Sequence, residues 1–242
     1  MKRQLKKIVC LTLITSMILG QKTLNTTKNV TAKEKKDIKI AIDAGHQARG
    51  NFATEPVGPG SGTRKAKVAG GATGVASHVP EYKLTLAVSK KLQKELKARG
   101  YKVYMIRTKN NVNISNKKRA QLANKSGADI YIRIHADSSN SRAVTGASGL
   151  YPSKANKYVS KLSTKSKKLS SCLLKSCKKT KIRNRGLVAR DDLTGTNWSK
   201  IPVSLIEMGF LSNPSEDRKM QKSNFQTKMA KGIADGIDAY FK

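Results

Sequence analysis

Two histidines, at 46 and 135, and two glutamates, at 81 and 207, stand where chemistry would need them. His46 closes the run Ile38-Lys39-Ile40-Ala41-Ile42-Asp43-Ala44-Gly45, and His135 follows Ala128-Asp129-Ile130-Tyr131-Ile132-Arg133-Ile134. A histidine beyond the end of a β-strand reaches the loops in which open α/β sheets hold their ligands. Glu207 interrupts the apolar run Val203-Ser204-Leu205-Ile206, where an acid costs free energy unless it is paired or bound to a metal. Glu81 opens a helical stretch one turn before Leu84, on the side facing the core. Two imidazoles and one carboxylate are a set used for catalytic zinc, with the fourth position left to water. Glu207 is then free to carry protons. Taken singly, each residue has a plainer reading: a turn histidine, or a first-turn acid at the positive end of a helix. Ionisable groups gathered in one cleft point instead to a functional site. Glu55, nine residues after His46, is a rival carboxylate but lacks a helix to hold it. His78 reads as an ordinary loop histidine beside the site.

The elements that must position these groups alternate between strand and helix. Residues 38–42 form a first strand. Residues 51–79, rich in glycine, are expected to be a long loop rimming the site, since loops of that length inside a domain are often functional. Leu84, Val88, Leu92 and Leu96 recur every four residues and predict a helix over 80–99, stopped by Gly100. A strand over 102–106, a polar helix over 113–125 and a strand over 129–134 follow. Residues 149–151 and 186–190 read as short strands, 155–178 as a long lysine-studded helix, 201–208 as a buried strand and 224–241 as the last helix. This order predicts a single α/β domain over 37–242, with a mixed, largely parallel sheet, right-handed crossovers and helices on both faces. In such a sheet His46, His135 and Glu207 lie at the carboxyl edge, with Glu81 leaning over it.

The N-terminus stands apart. Met1-Lys2-Arg3-Gln4-Leu5-Lys6-Lys7 is basic, and the apolar run from Ile8 to Leu19 is shorter than a membrane span of about 20 residues. Residues 1–20 therefore read as a signal peptide cleaved near Gly20, with an uncleaved membrane anchor as the alternative. Residues 21–36 are polar and read as a flexible linker. The rest of the chain is expected outside the cytoplasm. Cys172 and Cys177 fall about 140° apart on a helix, so both are expected as free thiols. The net charge is +34, and from Ser138 to Arg190 there are fourteen Lys and Arg and no acid. Such a field draws polyanions. Behind an export signal, the anionic polymers of a bacterial envelope or its membrane surface are better partners than nucleic acid, for which 5% aromatic residues offer few stacking platforms. The plainer reading is a solvated surface.

The segments Ile40-Ala41-Ile42-Asp43-Ala44-Gly45-His46, Glu81 with its amphipathic helix, Ile130 to Asp137, and Ile206-Glu207-Met208-Gly209-Phe210-Leu211-Ser212-Asn213 together closely resemble the zinc-dependent N-acetylmuramoyl-L-alanine amidases of bacterial cell walls. Arg119 and Ala123-Asn124 also match that pattern, and the resemblance spans residues 37–242. It implies a zinc amidase/exopeptidase-like fold, peptidoglycan as substrate, zinc on His46, Glu81 and His135, and Glu207 as catalytic acid/base. The long glycine-rich insertion departs from the commoner pattern, and no wall-binding repeats are recognisable. Two alternatives stay open on the sequence: another zinc peptidase acting on stem peptides, and a non-catalytic basic wall-binding protein.

Overall fold

The computed structural model describes residues 33–242. Eight strands and six helices are described: β1 (Lys39–Ala44), β2 (Asn51–Pro56), β3 (Arg64–Val68), α1 (Glu81–Ala98), β4 (Lys102–Met105), α2 (Asn116–Lys125), β5 (Ile130–Asp137), β6 (Ala147–Tyr151), α3 (Ser163–Ser176), β7 (Asn184–Ala189), α4 (Thr194–Asn197), β8 (Val203–Phe210), α5 (Pro214–Gln221) and α6 (Ser223–Phe241). Six strands form one sheet in the order β4-β1-β5-β8-β6-β7. β4, β1, β5 and β8 run parallel, β6 is antiparallel to β8, and β7 is parallel to β6.

The chain leaves β1 toward β4 through α1 and returns past β1 to β5 through α2. Right-handed crossovers in opposite directions place these helices on opposite faces and open a crevice at the carboxyl ends of β1 and β5, where the direction of winding changes. Alternation along the strands follows. Ile40, Ile42, Ile130, Ile132, Ile134, Ile206 and Met208 pack toward α1, α3 and α6, meeting Leu84, Val88, Leu92, Leu96, Leu169, Met229 and Ile233. Ala41, Tyr131 and Val203 turn the other way, to Ala120 and Ala123 of α2. Gly236 lets α6 lie directly on α3: a Cβ there would stand 2.6 Å from Leu173 Cα.

Several elements differ from the expectation. The insertion after His46 contains the antiparallel hairpin β2–β3. The stretch expected as one helix over 155–178 is interrupted: Tyr158 precedes a 3-10 turn at Ser160–Leu162, and α3 begins only at Ser163. Tyr158 instead packs on Gly58, where any side chain would collide with its ring. α5 has no apolar periodicity to announce it; it is set by Asn213, whose side chain accepts from Ser215 N and Glu216 N, followed by Pro214 at the first turn. Cys172 and Cys177 are free thiols. The proposed signal segment at 1–20 lies outside the described residues, as does most of the linker. The linker's last residues are described: Lys33 pairs with Asp129 and Lys35 with Asp238. Among the described residues no helix is long and apolar enough to cross a membrane.

Candidate metal centre

His46 sits just past β1 in a left-handed conformation (φ 57°). Its Nδ1 donates to the Ala69 carbonyl at 2.9 Å, which turns Nε2 toward Glu81. Glu81, buried at the first position of α1, joins the two imidazoles: Oε2 is 3.2 Å from His46 Nε2, and Oε1 is 3.2 Å from His135 Nδ1. The same carboxylate accepts Ala72 N and Ala136 N, which fixes its plane. One ligand atom from each residue lies within 4.8 Å of the others. Two glycines make room. A Cβ on Gly45 would fall 2.4 Å from the His135 ring, and one on Gly71 (φ 82°) 2.8 Å from His46 Cγ.

His135 and Glu207 lie within their strands, directly opposite in the β5–β8 register, rather than just beyond the strand ends. The site therefore spills from the carboxyl edge onto the face of the sheet. His135 Nε2 and Glu207 Oε2 are both buried without a hydrogen-bond partner among the described residues. Buried polar atoms are rarely left so, and two on neighbouring strand positions mark a place built for an occupant. The donor set, two imidazoles and a carboxylate, suits zinc.

Burial pushes the His135 pKa down to about 4, so its imidazole is neutral near pH 7 and able to ligate a metal. Burial would also lower His46, but the Glu81 carboxylate reverses this and raises it. Burial alone would raise Glu81; its bonds to His135 and His46 hold it well below the usual carboxylate range. Glu207 goes the opposite way. Burial raises its pKa well above the ordinary value, and the charges of Glu81 and Asp137 add to this against the opposing Arg133 and Arg190. One carboxyl is thus kept charged and its neighbour inclined to hold a proton, the division of roles that acid/base chemistry uses.

A buried polar network, largely unread in the sequence, holds the turn that carries His46. Arg119, in α2, donates to Asp43 Oδ1 (2.6 Å), to the carbonyls of Ala44, His46 and Ile114, and to Gln47 Oε1. Arg107 donates to the carbonyls of Ala44, Gly45 and Tyr82, and Thr85 Oγ1 to Gly45 O at 2.8 Å. Asp43, fully buried, also accepts from Tyr131 and Arg133. The signal was present as an acid inside an apolar strand and an arginine inside a helix, but their pairing is 76 residues long.

Glu55 does not join the site. It is buried in β2 and accepts Lys117 N at 2.8 Å, capping the start of α2. His78 is exposed and lies outside the cluster. The insertion does rim the centre: Lys65, Ala66 and Ala69 line a cleft of about 460 Å³ together with Arg190, Asp192, the start of α4 and the buried His135, Arg133 and Glu207. Lys65 Nζ pairs with Asp192 at 2.8 Å.

Fold and site together define an α/β protein with a two-histidine, one-carboxylate centre beside a buried acid. Residues 40–239 match the family of N-acetylmuramoyl-L-alanine amidases, and the chain belongs to that family. A solved N-acetylmuramoyl-L-alanine amidase from Clostridium difficile 630 is similar at 30% identity and TM-score 0.68, over 84% of this chain and 96% of that one. The N-acetylmuramyl-L-alanine amidase of Mycobacterium smegmatis shares the fold at TM-score 0.78 and 22% identity, over 86% and 99%. The germination-specific N-acetylmuramoyl-L-alanine amidase of Bacillus subtilis is 35% identical over 127 residues, 52% of this chain and 50% of the relative.

Proposed function

We propose that this protein hydrolyses the amide between N-acetylmuramic acid and the L-alanine of peptidoglycan, with His46, Glu81 and His135 holding zinc and Glu207 as acid/base. The observation that carries this reading is the single Glu81 carboxylate joined to both histidines, with the orphaned Glu207 oxygen across from His135. When bound, zinc supplies Lewis-acid polarisation of the lactyl carbonyl and makes a water acidic near neutral pH. Glu207 would take the proton of the attacking water as the new C–O bond forms. It then returns the proton to the alanine nitrogen as the C–N bond breaks, releasing a free amine. The raised affinity of Glu207 for a proton suits the second half of this exchange, in which it acts as the acid. Gly45 and Gly71 keep side chains out of the centre, and Arg119 and Arg107 hold the His46 turn so that little reorganisation is needed.

We further infer export behind residues 1–20 and attraction to anionic wall polymers through the net charge of +34, a contact that salt should weaken. Digestion of purified peptidoglycan, analysed by mass spectrometry with and without a zinc chelator, tests the main reading. Intact stem peptides with a new L-alanine amine, abolished by chelator and restored by zinc, are expected. Trimmed stem peptides still attached to glycan would overturn the bond assignment in favour of an exopeptidase, and no product with zinc present would overturn the enzymatic reading.

A further inference from the structure

The mechanism above leaves one buried cation in the cleft unused. Arg133 is on β5, two residues before His135 and on the same face. It is 3% exposed, yet it lines the cleft. Its Nε donates to Asp43 Oδ2 at 3.1 Å and its Nη2 to Asn116 Oδ1 at 3.1 Å, and the Tyr131 hydroxyl also interacts with the group; Nη1 makes neither of the two bonds to Asp43 and Asn116. Gly195, at the start of α4, lies flat against the guanidinium: a Cβ there would stand 2.6 Å from Cζ and 2.8 Å from both terminal nitrogens. The plane of the group is therefore clamped by its neighbours, and its Nη1 is held in a set orientation. The one carboxylate it is ion-paired with is not its own. Asp43 is shared with Arg119, so two buried guanidinium groups face one carboxylate. No hydrogen bond joins Arg133 to Glu207 among the described residues. Arg190, which lines the same cleft, spends Nε and Nη2 on Asp192, and neither bond uses Nη1.

We propose that Arg133, with Arg190 of the same cleft, binds a free carboxylate on the stem peptide close to the scissile amide. This rests on the amidase reading of the cleft and names the feature of the substrate it selects. A fixed guanidinium is matched by a carboxylate more closely than by a neutral group. The muramoyl side of the amide offers only hydroxyl and acetamido groups, its lactyl acid being consumed in the bond, so the carboxylate belongs to the peptide side. A primary amide at the same place would bring the buried guanidinium no negative charge.

Two soluble muramoyl peptides that differ only in whether the residue after L-alanine carries its carboxylate free or as a primary amide provide the test. The wild-type zinc enzyme is expected to favour the free acid by about tenfold in kcat/KM, chiefly through KM, the size of one charge-assisted hydrogen bond. Arg133→Gln should bring the ratio toward one. Arg190→Gln, at a largely exposed site where folding is not at stake, should lower it about threefold. Binding of the released free-acid peptide to the zinc-free protein, followed by calorimetry, should weaken in step with each substitution. Equal wild-type rates on the two substrates, or a preference that survives both substitutions, would overturn the proposal. Cleavage of neither substrate by the wild-type enzyme would defeat the amidase reading itself, which separates the two failures.

Discussion

The two faces of the central sheet are made by the same strands and have opposite characters. Toward α1, α3 and α6, strands β1, β5 and β8 send isoleucines and a methionine into a core with no ionisable side chain among these strand positions. Toward α2 and the cleft, the alternate residues of the same strands include Asp43, Tyr131, Arg133, His135 and Glu207, beside the apolar Ala41, Val203 and Leu205. Both faces are buried, but one is stabilised by apolar area and the other by charges that must answer one another. Burying an ion is expensive, and its partner is repaid only in good geometry. The helix face can be repacked at modest cost, whereas the cleft face is intolerant of losing a single partner. Period-two alternation thus separates the part that folds the protein from the part that gives it chemistry.

The largest contrast is expected at Glu207. Glu207→Gln keeps volume and shape, so zinc content by elemental analysis and the circular dichroism spectrum should match wild type, while hydrolysis falls by about 10²–10⁴-fold. Retention of the parental rate would remove Glu207 from the reaction. Next in size, Asp43→Ala leaves Arg119 and Arg133 buried without their acid and should cost about 3–5 kcal/mol in urea unfolding at neutral pH. Burial alone would raise the Asp43 pKa, but Arg119 and Arg133 hold it well below the usual carboxylate range. A carboxylate with a depressed folded pKa contributes stability above its unfolded pKa of about 3.9, and that contribution is lost as pH falls below it toward the folded value. The gap between wild type and Asp43→Ala should therefore be full at pH 7 and narrower at pH 3. A gap independent of pH would mean that the charge is not what stabilises the turn. The smallest effect belongs to the other face: Ile132→Val should cost about 0.5–1.5 kcal/mol and leave kcat/KM unchanged. A loss of activity there would show that the two faces are not separable.

Much of this was legible in the chain because it is local. The leucines of α1 at every fourth residue, Gly100 in a left-handed conformation after it, and the isoleucine runs of β1 and β5 each declare their element within a few residues. The four ionisable residues stood out for the same reason, each being out of place in its own segment. Non-local features were not legible. The hairpin β2–β3 has weak alternation and is held by its place over the cleft, and α5 depends on a cap and on Glu216, which accepts Gly146 N and Phe210 N. The decision between Glu55 and Glu81 was tertiary as well. Both acids are buried, and only the fold shows that one caps α2 while the other joins two histidines.

The sequence by itself determined the alternation, the helix stripe, the family pattern and the residue types able to hold a metal, because these follow from side-chain chemistry and spacing along one chain. The tertiary structure decided which atoms meet. It set the Glu81 carboxylate between His46 Nε2 and His135 Nδ1, placed Glu207 across from His135, and set Arg133 against Asp43 and Asn116. Those facts depend on strand register and on which crossover helix covers which face, and both are fixed by contacts between segments far apart in the chain.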